Sequence, residues 1–146
     1  MICNLMTIKT KKILVPLDGS ANSFRGLDVA IHMARQSQAT ISGLYVAGIV
    51  KPKISEPISP LEKLFLEYAQ KIMKKAKLKA AKKGILFFDR LSYGDNGKRI
   101  VEIAERENFD LIVIGSRGMG AAKEMFLGST SNYVLHKSKR PVLIVK

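Results

Sequence analysis

Short apolar runs without polar alternation recur along this chain and set its fold class. Ile13-Leu14-Val15-Pro16-Leu17, Leu111-Ile112-Val113-Ile114 and Val142-Leu143-Ile144-Val145 place hydrophobic side chains on both faces of an extended segment. A strand of that kind is buried on both sides, which is the condition inside a parallel sheet covered by helices. The intervening stretches carry the other period. Leu27, Ala30, Ile31 and Ala34 recur at intervals of three and four after Ser20 or Asn22, either of which can cap a helix.

The same reading continues along the chain. Residues 40–46 form a second strand, and Pro52, Pro57 and Pro60 deny regular structure to residues 51–60. A long helix is expected over about residues 61–83, with Leu61, Phe65, Tyr68, Ile72, Ala76 and Ala80 facing inward and Gly84 stopping it. Strands at 85–92, 110–114 and 141–145 alternate with helices carrying Ile100, Val101, Ile103 and Ala104 and spanning about 129–136. Residues 1–10 read as a lead-in to the first strand. The pattern β-α-β-α-β-α-β-α-β fills residues 1–146 as one α/β domain. Its layers are α/β/α, around a five-stranded parallel sheet. A flavodoxin-like signalling domain shares that rhythm, so fold alone does not settle function.

Charge and composition narrow the classes. The chain has 146 residues and a net charge of +13. Much of that charge sits at Lys71, Lys74, Lys75, Lys77, Lys79, Lys82 and Lys83, with no acid among them. The run reads as a solvated helix face. Nucleic-acid association is the competing reading, but no arginine or aromatic interleaves there to supply bidentate or stacking contacts. No apolar run approaches the roughly 20 residues of a membrane helix, and no secretory core follows the start. A cytoplasmic location is therefore expected. Cys3, the single cysteine, excludes an internal disulfide, and His32 and His136 have no ligand-spaced partner.

Ligand chemistry enters where the fourth strand ends. Ile114 leads into Gly115-Ser116-Arg117-Gly118, and nine residues after Gly118 come Gly128-Ser129. A strand opening into a glycine turn and then a helix start gathers backbone N–H groups around a small volume, an arrangement that suits phosphate. In open parallel sheets ligands sit beyond the carboxyl ends of the strands, where strand order reverses. Asp18 leaves the first strand at that edge. It is placed to accept hydrogen bonds from ribose hydroxyls, or else to hold the Asp18-Gly19-Ser20 turn. No Gly-Lys-Ser/Thr triplet makes this a Walker loop, and no Gly-x-Gly-x-x-Gly follows the first strand.

From Ile13-Leu14-Val15-Pro16-Leu17-Asp18-Gly19-Ser20 to Arg140-Pro141-Val142-Leu143-Ile144-Val145 the sequence resembles the universal stress protein family. The Gly115, Gly118, Gly128 and Ser129 spacing is similar to the signature of its ATP-binding branch. The resemblance implies sheet order 3-2-1-4-5 and a homodimer paired near the last strand, through Val142 to Val145. It also implies ATP as ligand, with Mg²⁺ or Mn²⁺ held through the phosphates. Position by position, Pro16 and Val46 would border adenine and Asp18 would contact ribose. Gly115, Ser116, Arg117, Gly118, Gly128, Ser129 and Thr130 would surround the phosphates, although Thr130 stands where an apolar residue is frequent.

Binding is better supported than turnover. Hydrolysis needs an oriented water and charge stabilisation, and Arg117, Lys123 and Glu124 are only single candidates for those roles. The expected function is therefore an ATP-responsive stress or signalling module. In it, nucleotide would order residues 118–128 and the 51–60 connection for a protein partner to recognise. A weak metal-dependent ATPase, an AMP-binding module and a nucleic-acid-associated basic protein remain the alternatives.

Overall fold

A computed structural model describes residues 9–119 and 126–146. The elements are β1 (Lys12–Pro16), α1 (Ala21–Ser37), β2 (Thr40–Ala47), α2 (Pro60–Ala81), β3 (Phe87–Tyr93), α3 (Asn96–Arg106), β4 (Leu111–Gly115), α4 (Ser129–Lys137) and β5 (Val142–Val145). All four strand pairings are parallel, in the order β3-β2-β1-β4-β5. That is the expected topology, and it makes β1 and β4 neighbours at the point where strand order reverses.

The apolar runs explain the layers. Along β1, Ile13 and Val15 face one way and Leu14 the other, each with no exposed surface. Ile13 and Val15 join α1 and α2 through Leu27, Ala30, Ile72 and Ala76. Leu14 joins Ile100 and Ile103 of α3, Ile112 of β4 and Val134 of α4. Each buried Ile or Leu contributes about 2 kcal/mol by leaving water. The α3–α4 contact is close enough that a Cβ built on Gly97 would lie 2.7 Å from the Tyr133 ring.

Helix boundaries follow their caps. Of the two caps expected for α1, Ser20 serves, its hydroxyl accepting from Ser23 N–H at 3.1 Å. Pro60 belongs to α2 and not to the connection before it. Ser59 and Glu62 form a reciprocal capping box, and Pro60 occupies the first turn, where its missing N–H would have been unpaired anyway.

The inward stripe of α2 also differs from expectation. Ile72, Ala76 and Ala80 are buried, together with Ala69 and Met73, whereas Leu61 and Tyr68 are 54% and 39% exposed. The interval from Leu61 to Ala80 is not a whole number of 3.6-residue turns. The two ends of that stripe therefore face directions roughly 100° apart. On the outer face Lys71, Lys74, Lys82 and Lys83 meet solvent. Lys77 and Lys79 instead pair with Asp89 and Asp28, and the Lys75 ammonium lies over the Phe24 ring.

No described helix is long and apolar enough to cross a membrane. Cys3, Lys123 and Glu124 lie outside the described residues, as does the middle of the 118–128 segment.

Candidate functional site

A crevice with about 550 Å³ of empty volume opens beyond the carboxyl ends of β1 and β4. Its lining divides by chemistry. Pro16, Leu44, Val46, Ile100 and Ile114 supply apolar surface from β1, β2, α3 and β4. Asp18, Arg117, Gly118, Gly128, Thr130 and Ser131 supply polar groups from the exits of β1 and β4 and the start of α4. Eight of the ten residues singled out in the sequence thus line one space. Ser116 lies behind it, and Ser129 is exposed at the first position of α4.

Asp18 joins the two loops. Its Oδ1 accepts from Ser20 N–H and its Oδ2 from Met119 N–H, each at 2.9 Å. The carboxylate therefore holds the Asp18-Gly19-Ser20 turn and also straps the glycine loop to the exit of β1. An ionised carboxylate has about four lone-pair sites, so these two bonds leave capacity for a ligand hydroxyl. The Asp18 carbonyl accepts from the Tyr68 hydroxyl at 3.2 Å, and Tyr68 meets Tyr45 edge-on at 5.9 Å. Burial raises the Tyr45 phenol above its ordinary pKa, with Tyr68 and Asp18 adding to the effect.

The glycines are present for different reasons. A Cβ on Gly115 would lie 2.8 Å from the Asn22 carbonyl oxygen, so Gly115 lets the start of α1 press against β4. A Cβ on Gly118 would lie 2.4 Å from Asp18 Oδ2, so Gly118 makes room for the strap. Gly128 is the N-cap of α4 and provides no side-chain cap. The first N–H groups of α4 therefore keep their donor capacity and the positive end of its dipole toward the crevice.

Ser116 is a buried bracket. Its N–H donates to the Val145 carbonyl at 2.7 Å, extending the β4–β5 ladder. Its own carbonyl accepts from Gly128 N–H and from Ser131 Oγ, both at 2.7 Å. Its hydroxyl accepts from the Asn22 amide at 3.2 Å. Asn22 in turn accepts from Arg25, whose Nε donates to the Lys146 carbonyl at 3.2 Å. The N–H groups of Ser116 and Gly128 are therefore committed within the protein. The first turn of α4 keeps backbone donors toward the crevice.

Sequence reasoning named Asn22 only as a possible helix cap and did not single out Ser131 or Asn96 as site residues. Asn22 and Ser131 are 7% and 2% exposed. Each is a polar residue on the inward face of a helix, and that misplacement was the available signal. Asn96 opens α3 and lines the crevice. No group of three or more His, Cys, Asp or Glu is placed to hold a metal ion among the described residues. His32 and His136 are exposed on α1 and α4.

Comparison with known proteins places the arrangement. The family model described as "Universal stress protein family" matches residues 9–146. The chain is 37% identical over 145 residues to universal stress protein YxiE of Bacillus subtilis, covering 92% of this chain and 98% of that protein. Among solved structures, universal stress protein UspA from Lactobacillus plantarum superposes with a TM-score of 0.82 at 25% identity, covering 94% of this chain and 99% of that one. A universal stress protein crystallised in complex with cAMP superposes at 0.78 with 26% identity, over 94% of this chain and 98% of that one.

Proposed function

The chain belongs to the universal stress protein family, and from its crevice we propose that it binds an adenine nucleotide, ATP foremost, as a stress-response or signalling module. The observation that carries the reading is the joining of two chemistries in one space. An apolar half suits a base, and a half built from Gly118, the uncapped start of α4 and Asp18 suits ribose and phosphates.

In this reading Pro16 and Val46 border the base and Asp18 receives ribose hydroxyls. Backbone donors of Arg117, Gly118, Ser129 and Thr130 meet the phosphates. Gly115, Ser116 and Gly128 shape the cradle through the packing and the bonds described above. Mg²⁺ or Mn²⁺, carried by the phosphates, would neutralise their charge. Asp18 and the Thr130 hydroxyl are among the oxygen donors the crevice lining would offer such an ion. Nucleotide would then bias residues 51–60 and the glycine loop toward one state, which a protein partner distinguishes. Pairing of two copies along β5, whose residues are all half-buried, completes the proposal.

A second reading is a monophosphate ligand, AMP or cAMP. The relative crystallised with cAMP favours it. Calorimetric titration of nucleotide-free protein with ATP, ADP, AMP and cAMP, with and without Mg²⁺, separates the two. Saturable binding that strengthens with phosphate number and Mg²⁺ supports ATP. Equal binding of AMP moves the assignment to the monophosphate. Absence of binding by folded protein overturns both. Phosphate release measured on the same samples tests the ATPase alternative.

A further inference from the structure

Asn96 is the first residue of α3 and lines the crevice together with Leu44, Val46 and Ile114. Ile100, one turn on and on the same helix face, also lines it and is 2% exposed. No hydrogen bond engages the Asn96 side chain among the described residues. It is thus a carboxamide with unused donor and acceptor capacity in the crevice lining, one turn before the apolar Ile100.

The position is fixed from two sides. Asp95 caps α3, its carboxylate accepting from Lys98 N–H at 3.0 Å. Gly97 lies so close to Tyr133 of α4 that no side chain fits between them. The first turn of α3 is therefore held against the helix whose own first turn brings Thr130 and Ser131 to the polar half. Asn96 stands in a set relation to the proposed phosphate cradle.

A purine base entering the apolar half exchanges water for aliphatic contacts. Its ring nitrogens and exocyclic group then need partners, because an unsatisfied polar group out of water is costly. A carboxamide presents a donor and an acceptor side by side. Adenine offers the complement, an exocyclic N6 donor beside a ring-nitrogen acceptor. At the edge where adenine presents N6 and N7, guanine presents two acceptors, O6 and N7, so the amide oxygen is left without a donor there.

We propose that Asn96 reads the base edge and gives the crevice its preference for adenine over guanine. This rests on the nucleotide-binding reading and deepens it.

The test is calorimetric titration of ATP and GTP, each with Mg²⁺, into wild type, Asn96→Ala and Asn96→Asp, with thermal melts to establish folding. Asn96 is exposed at a helix start, so both variants are expected to fold. Wild type should favour ATP by at least tenfold, and Asn96→Ala should lose most of that ratio, since a paired base contact is worth about ten- to hundredfold. Asn96→Asp keeps an acceptor for N6 but has no donor for N7, so it should weaken ATP binding toward the level of Asn96→Ala. If wild type binds ATP and Asn96→Ala keeps the ATP-to-GTP ratio within about twofold, base reading by Asn96 is overturned while nucleotide binding stands. If folded wild type binds neither nucleotide, both fall.

Discussion

The Asp18 carboxylate accepts a hydrogen bond from Met119 N–H at 2.9 Å, across 101 positions of sequence. One oxygen thereby ties the exit of β1 to the glycine loop that leaves β4, across the point where strand order reverses. The other oxygen holds the turn into α1 through Ser20 N–H. A residue that reads as a ribose ligand in the sequence is also the strap that keeps both rims of the crevice together.

Replacement of Gly118 should separate binding from folding. A Cβ there would lie 2.4 Å from Asp18 Oδ2, the free end of a side chain that can rotate away. Gly118→Val should therefore melt close to wild type but lose the strap, and with it at least tenfold in ATP affinity, on the scale of one charge-assisted hydrogen bond. Calorimetry and a thermal melt on the same preparation check both halves.

Gly115→Ala should behave in the opposite way. Its Cβ would meet backbone atoms of Asn22 and Ser23 at 2.8 to 3.1 Å, and a helix backbone cannot rotate aside. Overpacking of this kind costs about 1–3 kcal/mol. Urea unfolding at neutral pH should show that loss, and melting indistinguishable from wild type would refute the close-packing argument. Two glycines of one motif thus answer to different constraints, one to the core and one to the site.

The contrast shows what the chain made legible. Unalternated runs such as Ile13 to Leu17 specify a sheet buried on both faces, and local signals such as Ser20 and Gly84 mark helix ends. The spacing of Gly115, Gly118 and Gly128 locates the crevice. It does not say which N–H groups remain open, because the Ser116 N–H is consumed by Val145 in a strand pairing set by the whole fold. The buried bracket role of Asn22 and the crevice position of Asn96 were missed for the same reason. Each acquires its surroundings from elements distant in sequence. Pro60 is different: the Ser59–Glu62 capping box was local and readable, but three nearby prolines suggested a loop.

At the opposite end of the sheet, Glu107 should give stability an acid limb. Burial pushes its carboxyl up, but the Arg90 and Arg106 guanidiniums outweigh that and hold it below the usual carboxylate range. A depressed carboxylate stabilises the fold above its unfolded pKa, and that contribution is lost as pH falls through the folded one. Glu107→Gln should cost about 0.5–1 kcal/mol at pH 7, the scale of a solvent-screened pair. The difference from wild type should shrink as pH drops below the normal glutamate range. Urea midpoints from pH 7 to pH 3 test this, and a constant difference would count against it.

Tyr45 should give stability an alkaline limb of opposite sign. The phenol is neutral when protonated, and burial, assisted by Tyr68 and Asp18, raises its pKa above the ordinary 10.0. Below that value both the folded and unfolded chains keep the proton, so nothing changes with pH. Above it the unfolded chain ionises first while the folded chain still holds its proton, and unfolding is favoured by up to about 1.4 kcal/mol per pH unit. Tyr45→Phe keeps the ring against Tyr68 and removes the titrating group. Its stability relative to wild type should therefore be flat from pH 7 to pH 9 and should improve steadily above pH 10. Every other titratable group is common to both proteins, so the difference isolates Tyr45. Parallel unfolding curves for the two proteins up to pH 11 would show that the buried phenol beside the crevice carries none of the alkaline limb.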